Sequence, residues 1–213
     1  MRHQQILLAS VCAVPAGLLI VSAPVRGDII WDEAMNGDLS TDPMAPTLVV
    51  FELGSNIITG TITGSGDIRD YITFTLAPGQ ALAALNLLTW DDVPTGDPGN
   101  TGFTAINAGS TSFIPGVDTV DDFLGSNHVE AFHEGTDILP GIAAAPFGGM
   151  GFNIPLEAGT YGYLVQQTGA PTNAYSIEFV VTPAPGAAAI MVLGAAMFGG
   201  PRRRQALGTS RAR

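Results

Sequence analysis

The chain of 213 residues contains no lysine, and its one cysteine is Cys12. A single thiol cannot form an intrachain disulfide, so the fold must rest on its core. Cys12 also lies in an N-terminal apolar run that export would remove, which excludes thiol catalysis in the mature protein. No Gly-x-Ser-x-Gly elbow occurs, which leaves a serine hydrolase without its usual nucleophile turn. His128, Glu130, His133 and Glu134 cluster in sequence, but not at the His-Glu-x-x-His spacing of metalloproteases. No cysteine completes a zinc set with them. Carboxylates are so plentiful that no pair stands out for glycoside hydrolysis. Helical apolar periodicity is scarce, and there is no internal repeat. The chain therefore reads as a non-enzyme.

What is present begins at the ends. Arg2 supplies a positive start, residues 6–21 an apolar stretch, and Val25-Arg26-Gly27 small residues at a cleavage site. Residues 1–27 read as a signal peptide with Asp28 as the mature start. Val11 precedes Cys12 where a lipoprotein signal needs a small residue, so Cys12 is not read as lipid-modified. Two of the eight arginines precede Asp28 (Arg2, Arg26) and five follow Pro201 (Arg202, Arg203, Arg204, Arg211, Arg213). Arg69 is left as the one basic residue between. All nineteen acidic residues lie between Asp28 and Glu178, so this segment carries a formal charge of −18. Such a surface repels nucleic acid and suits cations.

Between the ends, apolar residues alternate with period two. Ile72, Phe74 and Leu76 alternate with Tyr71, Thr73 and Thr75; Tyr175, Ile177, Phe179 and Val181 with Ser176, Glu178 and Val180. Further strands are predicted at 47–53, 56–63, 81–90, 102–108, 151–154 and 161–165. Turn residues separate them, as at Ala77-Pro78-Gly79 and Glu157-Ala158-Gly159. Residues 120–124 read as one helical turn, and 137–145 as either strand or short helix. The expected fold is all-β: an antiparallel β-sandwich over residues 28–182, flanked by a signal helix and a C-terminal hydrophobic helix. Trp31, Trp90, Tyr161, Tyr163 and Tyr175 offer a stacking platform for carbohydrate, the first alternative to a structural or adhesive role; a secreted hydrolase is the second.

After Thr182 the chain reads Pro183-Ala184-Pro185, then an uncharged apolar run (186–200), then Arg202, Arg203 and Arg204. This order of hinge, short apolar helix and basic stop resembles the PEP-CTERM sorting signal of exported bacterial proteins. The family's motif is Pro-Glu-Pro; here Ala184 takes the place of Glu. The resemblance implies a sorting segment at 183–204, a basic cytoplasmic tail at 205–213, and membrane and an exosortase-like processing enzyme as partners. It also implies delivery to the cell surface or extracellular matrix, where polysaccharide is a further expected partner.

A second resemblance lies inside the domain. The run WDEAMNGDLS from Trp31, the stretch GSNIITG from Gly54 and the stretch DIRDYITFTL from Asp67 resemble the prepeptidase C-terminal domain, a jelly-roll-like sandwich. The closing stretches GTYGYLV from Gly159 and YSIEF from Tyr175 fit its last strands. In calcium-binding members of that module an acidic N-terminal segment and an Asp-x-x-Asp pair share one ion. The resemblance thus implies a Ca2+ site from Asp32, Glu33, Asn36 and Asp38 together with Asp67 and Asp70. Carboxylate and amide oxygens are the ligands that a hard cation takes. Arg69 lies between the two aspartates, so the site requires its side chain to point away.

The tail reading has a direct test. Deleting residues 183–213 is expected to move the protein from the membrane fraction to the periplasm or medium. Unchanged membrane association after fractionation and immunoblotting would overturn it.

Overall fold

Period-two alternation becomes strand wherever turn residues bracket it. The computed structural model describes residues 27–93, 101–110, 118–169 and 172–185. The expected signal helix and the apolar run 186–200, with Arg202, Arg203 and Arg204, lie outside the described residues. Among the described residues no helix is long and apolar enough to cross a membrane.

The strands are β1 (Asp28–Asp32), β2 (Thr47–Leu48), β3 (Gly54–Ile62), β4 (Arg69–Leu76), β5 (Gln80–Val93), β6 (Gly102–Ala108), β7 (Gly125–Val129), β8 (Thr136–Asp137), β9 (Gly159–Gln167) and β10 (Thr172–Pro183). Two short helices, α1 (Glu33–Asn36) and α2 (Leu139–Ala143), and the 3-10 turns Val120–Asp122 and Ala131–His133 punctuate them. Two sheets result. The first has the order β1-β3-β10-β5-β8 and the second β2-β4-β9-β6-β7. They pack face to face, and the chain is an all-β sandwich.

From β1 to β6 the chain alternates between the sheets. Consequently β1 runs parallel to β3, and β2 parallel to β4. The other pairs are antiparallel. The sheets are therefore mixed, which corrects the expectation of a purely antiparallel sandwich. The cause is that successive turns carry the chain across the core rather than back along the same sheet. Residues 47–53 pair only at Thr47–Leu48, although Val49 and Phe51 still enter the core. The predicted strand at 151–154 is irregular chain, and 137–145 resolves into β8 and α2, with Pro140 in the first turn of the helix, where its missing N–H costs nothing. The turn at Ala77-Pro78-Gly79 closes as its residues predict: Gln80 N–H donates to the Ala77 carbonyl at 2.9 Å, and Gly79 takes a φ of 89°.

Ile72, Phe74, Leu76, Ile177 and Phe179, expected inside, are all buried between the sheets. Phe74 is the centre of a ring cluster, 4.8 Å from Phe51, 5.7 Å from Tyr161 and 5.9 Å from Phe179 between centroids. Trp90, Tyr161, Tyr163 and Tyr175 belong to the same core, each at most 8 % exposed, and Trp31 packs half-buried against it. The expected stacking platform is thus absent: these rings fill the space between the sheets. A second apolar cluster covers the outer face of the second sheet. Tyr71, Leu164 and Ala105 stand in register there across β4, β9 and β6, with Phe103 and Phe123 packed on them.

Because Phe74 is fully enclosed, Phe74→Ala is expected to cost about 3–5 kcal/mol. Chemical denaturation of the variant tests this, and an unchanged midpoint would contradict the packing described.

Candidate acidic cation site

In β4 alternation sends Arg69 to the outer face of the second sheet and Asp70 into the interior. Asp70 is 1 % exposed. The Tyr175 hydroxyl, on β10 of the other sheet, donates to Asp70 Oδ2 at 2.6 Å. The second oxygen, Oδ1, is buried with no hydrogen-bond partner. Burial pushes the Asp70 carboxyl up to about 9. The Tyr175 hydrogen bond opposes that shift, and the charges of Glu33, Asp67 and Asp38 add to it.

Above Asp70 sits the segment that joins β1 to the rest of the domain. Asp32 caps α1, its Oδ1 accepting from Ala34 N–H at 3.0 Å. Asn36 Oδ1 accepts from Asp32 N–H at 2.9 Å, and Gly37 N–H closes the turn onto the Glu33 carbonyl at 3.1 Å. Asp32 and Asn36 are therefore engaged in shaping the turn. It aims Glu33 at β3. Glu33 Oε1 accepts from Leu39 N–H at 3.1 Å, while Oε2 accepts from Thr61 N–H at 2.7 Å and from Thr61 Oγ1 at 3.2 Å. Burial nevertheless raises the Glu33 pKa, against the opposing effect of those bonds.

Gly60 makes room for this arrangement. A Cβ there would lie 2.6 Å from the Tyr175 hydroxyl and 3.0 Å from Glu33 Cδ. A glycine inside a strand is the sequence sign of such a close approach.

One oxygen each from Glu33, Asp38 and Asp70 lies within 4.8 Å of the others, the grouping of this kind found among the described residues. Asp38 is exposed. Asp67 stands nearby: burial, with the charges of Asp38 and Glu33, pushes its carboxyl up to about 6. Its Oδ1 is also buried without a partner. Of the six residues expected to share an ion, the structure gathers Glu33, Asp38 and Asp70, keeps Asp67 adjacent, and gives Asp32 and Asn36 local roles. A cleft of about 550 Å³ opens beside them, walled by Thr59, Thr61, Thr89 and Ser176. An all-oxygen set of this kind suits a hard cation rather than a transition metal.

Among the described residues the histidines form no comparable centre. His133 Nδ1 accepts from Glu130 N–H at 3.1 Å, and Glu134 accepts from Trp90 N–H at 2.6 Å. Each of these groups serves a local backbone turn or strand edge.

No family model and no curated protein matches the chain. Among solved structures, it is similar to the crystal structure of PliG from Salmonella Typhimurium, a periplasmic lysozyme inhibitor of g-type lysozyme. The identity is 14 % and the TM-score 0.29, over 65 % of this chain and 100 % of that one. A likeness at that level carries no functional argument.

The raised Asp70 pKa sets a pH dependence in the absence of divalent ions. The folded state keeps a proton that the unfolded state releases above its ordinary value of 3.8. This contribution to stability is therefore fully present below about pH 4 and is lost as pH rises toward about 9, with a slope of up to about 1.4 kcal/mol per pH unit. Urea midpoints measured in chelator across this range are expected to decline, and Asp70→Asn to flatten the decline. A midpoint that rises with pH would refute the assignment.

Proposed function

We propose that the chain is an exported, non-catalytic β-sandwich of the cell surface or matrix, structural or adhesive in role. A calcium ion held by Glu33, Asp38 and Asp70 locks its N-terminal segment in place. The observation that carries the ion is the unpartnered Oδ1 of the buried Asp70, beside two further carboxylates. Two oxygens on one calcium ion stand at most about 5 Å apart, twice a bond of about 2.4 Å, and the three carboxylates meet that limit. Thr59 Oγ1, also buried and unpartnered, lines the same cleft. A bound cation would favour the ionised form of Asp70 and offset the repulsion among these acids. In this reading the sandwich is the prepeptidase C-terminal-like module that the runs from Trp31 to Leu76 resemble.

The export and surface part of the proposal rests on the two chain ends. The membrane and an exosortase-like enzyme are its partners at Pro183, Ala184 and Pro185 and the arginines beyond. Matrix polysaccharide is the proposed partner of the folded domain. With the rings inside, contact would run through the hydroxyl-lined cleft at Thr59, Thr61 and Ser176.

Thermal melting in chelator, then in a few millimolar calcium, and in sodium at matched ionic strength tests the ion. An ion that binds only the folded state and is present at about five times its dissociation constant contributes about 1 kcal/mol, or about 2–4 °C in Tm. The rise is expected with calcium and not with sodium, and is expected to shrink in Asp38→Asn. Asp38 suits the test because it is exposed, so the substitution leaves the core intact. Equal responses to the two salts, or a full calcium response in Asp38→Asn, would reject the site.

A further inference from the structure

The outer face of the second sheet holds a different arrangement. Arg69 on β4 stands opposite Gln166 on β9, Gln166 opposite Phe103 on β6, and Phe103 opposite His128 on β7. Strand register thus sets four side chains side by side on one face. Phe123 and Phe147 wall this row to form a cleft of about 520 Å³. That volume lies in the range of small-molecule sites, which are mostly apolar with a few polar groups. We propose that the cleft binds a small monocarboxylate with an aromatic or acyl body, its carboxylate on Arg69 and its body among the rings.

Charge singles out Arg69. It is the one basic residue between Asp28 and Pro201, against nineteen acids, yet it makes no ion pair among the described residues. Its Nε–H donates to Gln166 Oε1 at 2.8 Å, which fixes the guanidinium plane and leaves the terminal nitrogens as donors. No acidic side chain of the described residues lines the cleft. A planar fork of donors between apolar walls matches a carboxylate, and the low local dielectric strengthens the contact. The −18 charge of the surrounding segment disfavours a dianion more than a monoanion.

The other end of the row suits an apolar body. The Phe103 and His128 rings meet edge to face at 5.5 Å, and those of His128 and Phe147 at 4.7 Å. Phe147 is 48 % exposed, so its ring borders solvent. His128 Nδ1 lies 3.1 Å from the Gly102 carbonyl, which only accepts. That ring nitrogen therefore carries a proton. The rings at this end take the apolar body, which orients the ligand with its charge toward Arg69.

The fluorine NMR signal of 4-(trifluoromethyl)phenylacetate, titrated with the full chain in chelator, tests the proposal apart from the calcium site. Saturable broadening is expected, with the neutral amide analogue bound about tenfold more weakly, the scale of a charge-assisted hydrogen bond. Arg69→Gln is expected to bring the acid down to the level of the amide. Phe147→Ala, at an exposed position, is expected to weaken acid and amide alike. No saturable binding, equal binding of acid and amide, or unchanged affinity in either variant would overturn the site. Neither result bears on the calcium response.

Discussion

The hydrogen bond from the Tyr175 hydroxyl to Asp70 ties β10 of one sheet to β4 of the other through an otherwise apolar interior. Much of the surrounding sequence answers to it. Gly60 lacks a side chain because the Tyr175 hydroxyl and Glu33 occupy the space. Tyr175 stacks on Trp90 at 6.4 Å, and Trp90 in turn leaves Gly102 no room for a Cβ. Glu33 closes the top by holding Leu39 and Thr61 through their N–H groups. A carboxylate at this depth is costly unless it keeps a proton or gains a cation. That choice couples the interior to the acidic segment above it.

The two faces of β4 divide the chemistry. The inner face carries an acid toward other acids, and the outer face carries the domain's one cation toward rings. Adjacent residues serve opposite surfaces because a strand has a period of two. Arg69, between two aspartates in sequence, is removed from them in space by the thickness of a sheet.

Alternation made the main strands legible, and β6 matches its predicted bounds. Parallel pairing was not legible, because which sheet a strand joins depends on the direction in which each turn crosses the core. The segment 47–53 alternates well but pairs no further than the Val49 N–H bond to the Thr73 carbonyl, so pattern alone overstated it. For the acidic site, composition marked the right neighbourhood. It did not separate Asp32 and Asn36, which shape a turn, from Glu33, which reaches across to β3. Gly60 within an apolar strand was the unused signal. The outer cleft was hidden because its row comes from four strands distant in sequence and aligned only by register.

The end of β10 bears on how the domain is held. Pro183 still pairs with Gln80, and Ala184 N–H donates to the Gly79 carbonyl at 2.7 Å. Pro185 alone separates that bond from the apolar run that begins at Gly186. The described chain is therefore bonded to the first sheet almost to its last residue, Pro185. Tyr175 lies about 27 Å back along the same strand, at about 3.4 Å per residue. The acidic cluster therefore lies at the opposite end of β10 from Pro183. One rigid strand thus spans the domain and fixes the distance between these two ends.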